Sequence, residues 1–142
     1  MRGLMVWALG SALLSFGSTG AAQSRVSDKD IARLMNNLKE DSEKFGENFK
    51  KDLPKSSIRK TSEEKAAKQL SEQFPKQVEG MMKQFKSKKN VDAALATVQA
   101  SYKRLGDYMT KITPNTKTTE WWTKVQQGMT QVSQALNAPL PG

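Results

Sequence analysis

Five lysines, Lys76, Lys83, Lys86, Lys88 and Lys89, crowd a short stretch of this 142-residue sequence beside Phe85. Clustered ammonium groups can hold an anionic lipid surface or an envelope polymer, at roughly 1 kcal/mol per lysine near a charged surface. A row of lysines is also what a basic helix shows to water, because charge alone carries little specificity. The acids are less promising. Glu40, Asp41, Glu43 and Glu47 interleave with Lys39 and Lys44, which describes a solvated, paired face rather than an acid–base couple. Glu63 and Glu64 sit where a helix N-terminus favours negative charge. The methionines Met35, Met81, Met82, Met109 and Met129 would suit a soft metal such as copper(I). Four of the five fall on apolar stripes, however, where methionine fills gaps. The sequence has no histidine and no cysteine. Zinc sites of the Cys/His type, thiol chemistry, disulfides, a histidine general base, haem ligation and histidine-bearing di-iron bundles therefore all lack their residues. No Gly-rich phosphate loop or nucleophile elbow is present either. The expectation is a chain with no catalytic residue, no metal and no cofactor.

Two further positions invite attention. Trp121 precedes Trp122 and points about 100° away from it on a helix. With Gly128 and Ala135 following at intervals of seven, it forms a row in which a large aromatic stands above two small residues. Such a row could be a shallow groove for a partner helix, or a bundle edge where Trp121 covers the preceding loop. Ser42 interrupts an apolar stripe between Leu38 and Phe45. A small residue there lets a facing helix come close, and its hydroxyl can bond back to the Leu38 carbonyl.

These residues must be positioned by helices. In the first segment Ser27 and Asp30 have capping-box spacing, and Ile31, Leu34, Met35, Leu38, Phe45, Phe49 and Leu53 recur three or four apart. Gly46 is a weak point there, worth about 1 kcal/mol against alanine. "LPKSSIRK" reads as a loop. Thr61 and Glu64 open a second helix whose stripe, Ala67, Leu70, Phe74, Val78, Met81 and Phe85, keeps its phase through Pro75. That proline either kinks one helix or separates two short ones, and the surviving phase favours the kink. Asn90 can cap a third helix carrying Val91, Leu95, Val98, Tyr102, Leu105, Met109 and Ile112. The fourth carries Trp122, Val125, Met129, Val132 and Leu136. The reading is all-α: an antiparallel up-down-up-down four-helix bundle with helices near 28–52, 62–87, 91–112 and 117–137, the second kinked or broken at Pro75.

The first residues read as a signal peptide. Arg2 is followed by the uncharged, apolar "GLMVWALGSALLSFG" and by the small residues of "STGAA", with cleavage expected after Ala22. An uncleaved anchor is the alternative, since residues 3–22 are just long enough to span a bilayer. The bundle then occupies 23–142 and is exported, to the periplasm or outside the cell, which makes nucleic acid an improbable partner. Its 22 basic and 14 acidic side chains are unevenly spread: residues 53–90 carry ten and four, while residues 25–52 carry seven of each.

One stretch also resembles a known group. "RLMNNLKEDSEKFGENFKKDL", with Arg33-Leu34-Met35, Leu38, Asp41-Ser42, Phe45, Phe49 and Leu53 at fixed spacing, is similar to the first helix of small exported bacterial helical-bundle proteins of uncharacterised activity. Asp107 to Met109 looks like the end of that family's third helix, and Trp122, Val125, Met129 and Val132 resemble its last. Pro75 and the tandem tryptophans depart from its pattern. The resemblance implies a helical fold and an exported location, and no catalytic residues.

Overall fold

The computed structural model describes residues 26–137. The expected signal segment and its cleavage position lie outside the described residues. The chain divides after Asp30. In its leading part Ser27 Oγ accepts the Asp30 backbone N–H at 3.2 Å, as the capping spacing predicts.

Four helices follow one another among the described residues: α1 (Asp28–Asp52), α2 (Ser62–Lys86), α3 (Asp92–Lys111) and α4 (Thr116–Ala135), with a short 3-10 turn, Leu53–Lys55, after α1. No strand occurs among the described residues, and none of their helices is long and apolar enough to cross a membrane. The boundaries have local causes. Thr61 Oγ1 accepts the Glu64 N–H at 3.3 Å, while the Glu64 carboxylate accepts the Lys60 N–H at 3.0 Å, one residue before the cap. Asn90 Oδ1 accepts the Asp92 N–H at 2.8 Å, so it starts α3 from just outside the helix. Asn115 caps α4 by accepting the Thr118 N–H at 3.0 Å.

The stripes meet in one core that contains Met35, Leu38, Phe45, Phe49, Phe74, Val78, Met81, Val98, Leu105, Val125 and Met129. Trp122 lies within it, its ring 5.0 Å from that of Phe45 and 5.2 Å from that of Tyr102. Aromatic pairs at such spacing add about 0.5–1.5 kcal/mol each beyond the area they bury. Of the five methionines considered above, Met35, Met81, Met82 and Met129 are buried, and Met109 packs against the core from its edge.

Ser42 is buried, and its hydroxyl donates to the Leu38 carbonyl at 2.6 Å. Ser71 and Ser101 are buried in the same way. Ser71 donates to the Lys68 carbonyl at 2.7 Å, and Ser101 donates to Gln77 Oε1 on the neighbouring helix at 2.6 Å. A hydroxyl satisfied at such short range carries little desolvation cost.

Two features that look like flaws in the sequence meet in space. α2 runs unbroken from Ser62 to Lys86 with Pro75 inside it. Proline has no N–H, so the Ser71 carbonyl four residues earlier loses its ordinary helical donor. That carbonyl faces α1 at Gly46, where a Cβ would lie only 3.0 Å from the Ser71 oxygen. The glycine is therefore the clearance that a bare carbonyl on α2 requires.

Asp52 is the polar counterpart. It ends α1, where the helix dipole disfavours an anion, yet it is buried. Its carboxylate accepts the Asn115 N–H at 3.1 Å, the Asn115 side-chain amide at 2.7 Å and the Thr118 hydroxyl at 2.6 Å. The charge thus sits at the first turn of α4, where a dipole favours it. The loop expected at 53–60 is also more ordered than its composition suggests. Ile58 enters the core, Ser56 accepts the Ile58 N–H at 3.3 Å, and Ser57 donates to the Lys111 carbonyl at 3.1 Å.

Two glycines should respond oppositely to alanine. Gly46→Ala should destabilise the protein by about 1–2 kcal/mol, since a backbone oxygen cannot give way as a side chain does. Gly80→Ala has open space around its new methyl and should stabilise by up to about 1 kcal/mol. Urea unfolding of both variants measures the difference. In the same assay Asp52→Ala should lose about 3 kcal/mol, because it strands three donors.

Candidate functional site

The five lysines do not form one surface. Lys83 and Lys86 occupy the last turn of α2, and Lys88 and Lys89 follow in the turn that ends it. In that turn Lys89 N–H donates to the Gln84 carbonyl and Lys88 N–H to the Phe85 carbonyl, both at 3.0 Å. Lys88 has φ 64°, the left-handed position that glycine ordinarily takes at a helix end. All five lysines are exposed. Lys76 stands apart. It lines a groove of about 320 Å³ between α1 and α2 whose walls also carry Glu43, Glu47, Glu72 and Glu79. Its charge is answered locally by carboxylates, so the compact basic group is Lys83, Lys86, Lys88 and Lys89.

The Trp121 row divides too. Trp121 is half-buried against the core, with the Lys124 ammonium 5.0 Å from its ring centre. Ala135 is half-buried as well. Gly128 is buried, and a Cβ on it would lie 3.0 Å from Leu38 Cδ1 and 3.6 Å from Leu38 Cα. Gly128 is therefore taken by the chain's own α1 and is not the floor of an open groove; seven-residue spacing placed it on the row without revealing which helix covers it. Trp122 instead lines, with Tyr102, Gly106, Met109, Gln126 and Lys103, a groove of about 380 Å³. Burial pushes the Tyr102 hydroxyl above its ordinary value, and a hydrogen bond with Gln126 offsets part of that.

A larger opening went unnoticed in the sequence. A cleft of about 770 Å³ lies between the end of α1 and the start of α2, walled by Lys50, Lys51, Lys65 and Lys68 and floored in part by Leu53 and Pro54; Glu47 and Glu64 also line it. The signal was available: lysines within eight residues on either side of the loop at 53–60 converge when the chain reverses. Their shared wall depends on how α1 and α2 pack, which no periodicity gives. Elsewhere, no group of three or more His, Cys, Asp or Glu side chains suited to a metal occurs among the described residues.

Comparisons with protein-family models, with curated proteins and with solved structures returned no match.

Asp41 bears a measurable burden. Burial pushes its carboxyl above the ordinary carboxylate range; Lys124 on α4 pulls it down and Glu40 adds to the rise. A raised value means that the folded chain holds the proton more tightly than the unfolded one. The resulting stability is complete below the unfolded value and is lost as pH rises through the folded one. Asp41→Asn should therefore raise the thermal midpoint at pH 7, with the gain closing below about pH 4. Thermal melts of both proteins across that range check the sign.

Proposed function

We propose that this chain is an exported, non-enzymatic helical-bundle protein that works by contact, as a binding or structural module of the cell envelope. The observation that carries the reading is how the interior polar groups are engaged. Ser42, Ser71 and Ser101 bond to carbonyl oxygens of their own or a neighbouring helix, and Asp52 is bound by Asn115 and Thr118. Polar side chains engaged within the fold leave the exposed surface as the place of action. Export follows from the charge and composition of residues 1–22 and from the resemblance to small exported bacterial bundles.

The finer architecture belongs to the same proposal. An up-down-up-down order is supported by the α1–α4 pairs: Leu38, Asp41, Phe45 and Asp52 meet Gly128, Lys124, Trp122 and Thr118, one series rising as the other falls. Glu63 with Lys111 and Gln77 with Ser101 relate α2 to α3 likewise. A kink at Pro75 is supported by the Ser71 carbonyl turned toward Gly46.

A second reading is an electrostatic binder of anionic lipid or envelope polymer through the basic second helix, favoured by the exposed Lys83, Lys86, Lys88 and Lys89 at its end. Two measurements test these readings. Fractionation with mass analysis should recover a chain beginning at Gln23 in the exported fraction, crosslinked there to an envelope component. A chain retained in the cytoplasm with its first residues intact would overturn the first reading. Co-sedimentation with anionic vesicles should fall steeply with added salt, and with Lys83, Lys86, Lys88 and Lys89 changed together to Gln, if the second holds.

A further inference from the structure

The cleft between the end of α1 and the start of α2 is built differently from the two grooves described above. The 320 Å³ groove beside it sets Lys39, Lys50 and Lys76 against four carboxylates, and the 380 Å³ groove on α3 and α4 carries one lysine. The cleft brings Lys50 and Lys51 from the last turn of α1 against Lys65 and Lys68 from the first two turns of α2.

Its charges are not equivalent. Lys50 is paired with Glu72 at 3.2 Å. Lys51, Lys65 and Lys68 make no ion pair among the described residues, and all three are exposed. Of the two acids on the walls, Glu64 is already the acceptor for the Lys60 N–H. Asp52, adjacent in sequence, turns its carboxylate toward Asn115 and Thr118. Three ammonium groups without an ion pair therefore share a concave surface with two carboxylates, Glu47 and Glu64, which leaves positive charge in excess. Concentrated like charge in a cleft with low-dielectric walls focuses the potential and raises the local concentration of counter-ions. Leu53 and Pro54 add an apolar patch to the same floor.

We propose that this cleft is a binding site for a phosphate-bearing ligand, held by Lys51, Lys65 and Lys68 with the non-ionic part of the ligand resting on Leu53 and Pro54. Lysine binds phosphate as a point charge with three rotatable donors, which suits a wide, open cleft better than a fitted pocket would. The α2 N-terminus beside it adds its partial positive charge. The site is distinct from the lysines at the far end of α2 and does not depend on where the protein resides. A soluble phosphate ester and a lipid headgroup present the same chemistry to it.

The experiment titrates purified protein with inorganic pyrophosphate by calorimetry and, separately, sediments it with vesicles of equimolar phosphatidylglycerol and phosphatidylcholine. The triple variant Lys51→Gln, Lys65→Gln and Lys68→Gln is compared with Lys44→Gln, Arg104→Gln and Lys117→Gln, which remove the same charge outside both lysine groups. All six side chains are exposed, and a circular dichroism melt checks that both variants fold. The cleft variant should bind on the order of a hundredfold more weakly, and the other variant should match the parent. Pyrophosphate binding with that pattern identifies a soluble phosphate ester; vesicle binding alone with that pattern identifies a headgroup. The proposal is overturned if neither probe binds the parent protein, or if the cleft variant binds as tightly as the parent.

Discussion

Close approach of the helices governs this structure. α1 has a partner backbone near it at two places: at Gly46, which faces the Ser71 carbonyl of α2, and at Leu38, over which Gly128 of α4 lies. Ser42 stands midway, four residues from each. A Cβ at either glycine would lie 3.0 Å from an atom of the opposing helix, and the serine between them is itself buried. Amphipathic helices of this length are marginal alone in water, so their stability comes from the faces they bury. How far those faces interpenetrate is set by the smallest residues on them.

The same constraint explains why polar groups are tolerated inside. A hydroxyl that bonds to a carbonyl on its own helix, as Ser42 and Ser71 do, occupies less space than a branched aliphatic and leaves no unsatisfied donor. Asp52 extends the logic to a charge. Three donors from Asn115 and Thr118 replace the water it gives up, and the first turn of α4 supplies a favourable dipole. Ser133 differs, being buried with no hydrogen-bond partner among the described residues.

Surface charge then follows from the topology of the chain. Lysines spread along α2 separate into groups once α1 lies beside it. Lys76 meets carboxylates, Lys83 to Lys89 gather at one end, and Lys65 and Lys68 face Lys50 and Lys51 across a cleft. That partition, rather than net charge, gives an anion a preferred place on the surface, since an evenly spread excess would offer none.

Much of the fold was legible along the chain. Helical periodicity, Ser27 and Thr61 as caps, and prolines between segments located four helices to within two residues at each end, because local hydrogen bonding and side-chain period are properties of neighbouring residues. The buried place of Trp122 and the back-bonded Ser42 were readable for the same reason. Asp52 was not, since its three donors lie more than sixty residues away. Nor was the fate of Gly128, covered by a leucine ninety positions earlier, or the agreement between Gly46 and Pro75. Period and capping act within a few residues. Which faces meet, and which charges are left to share a cleft, is decided only when distant helices pack and exclude water from between them.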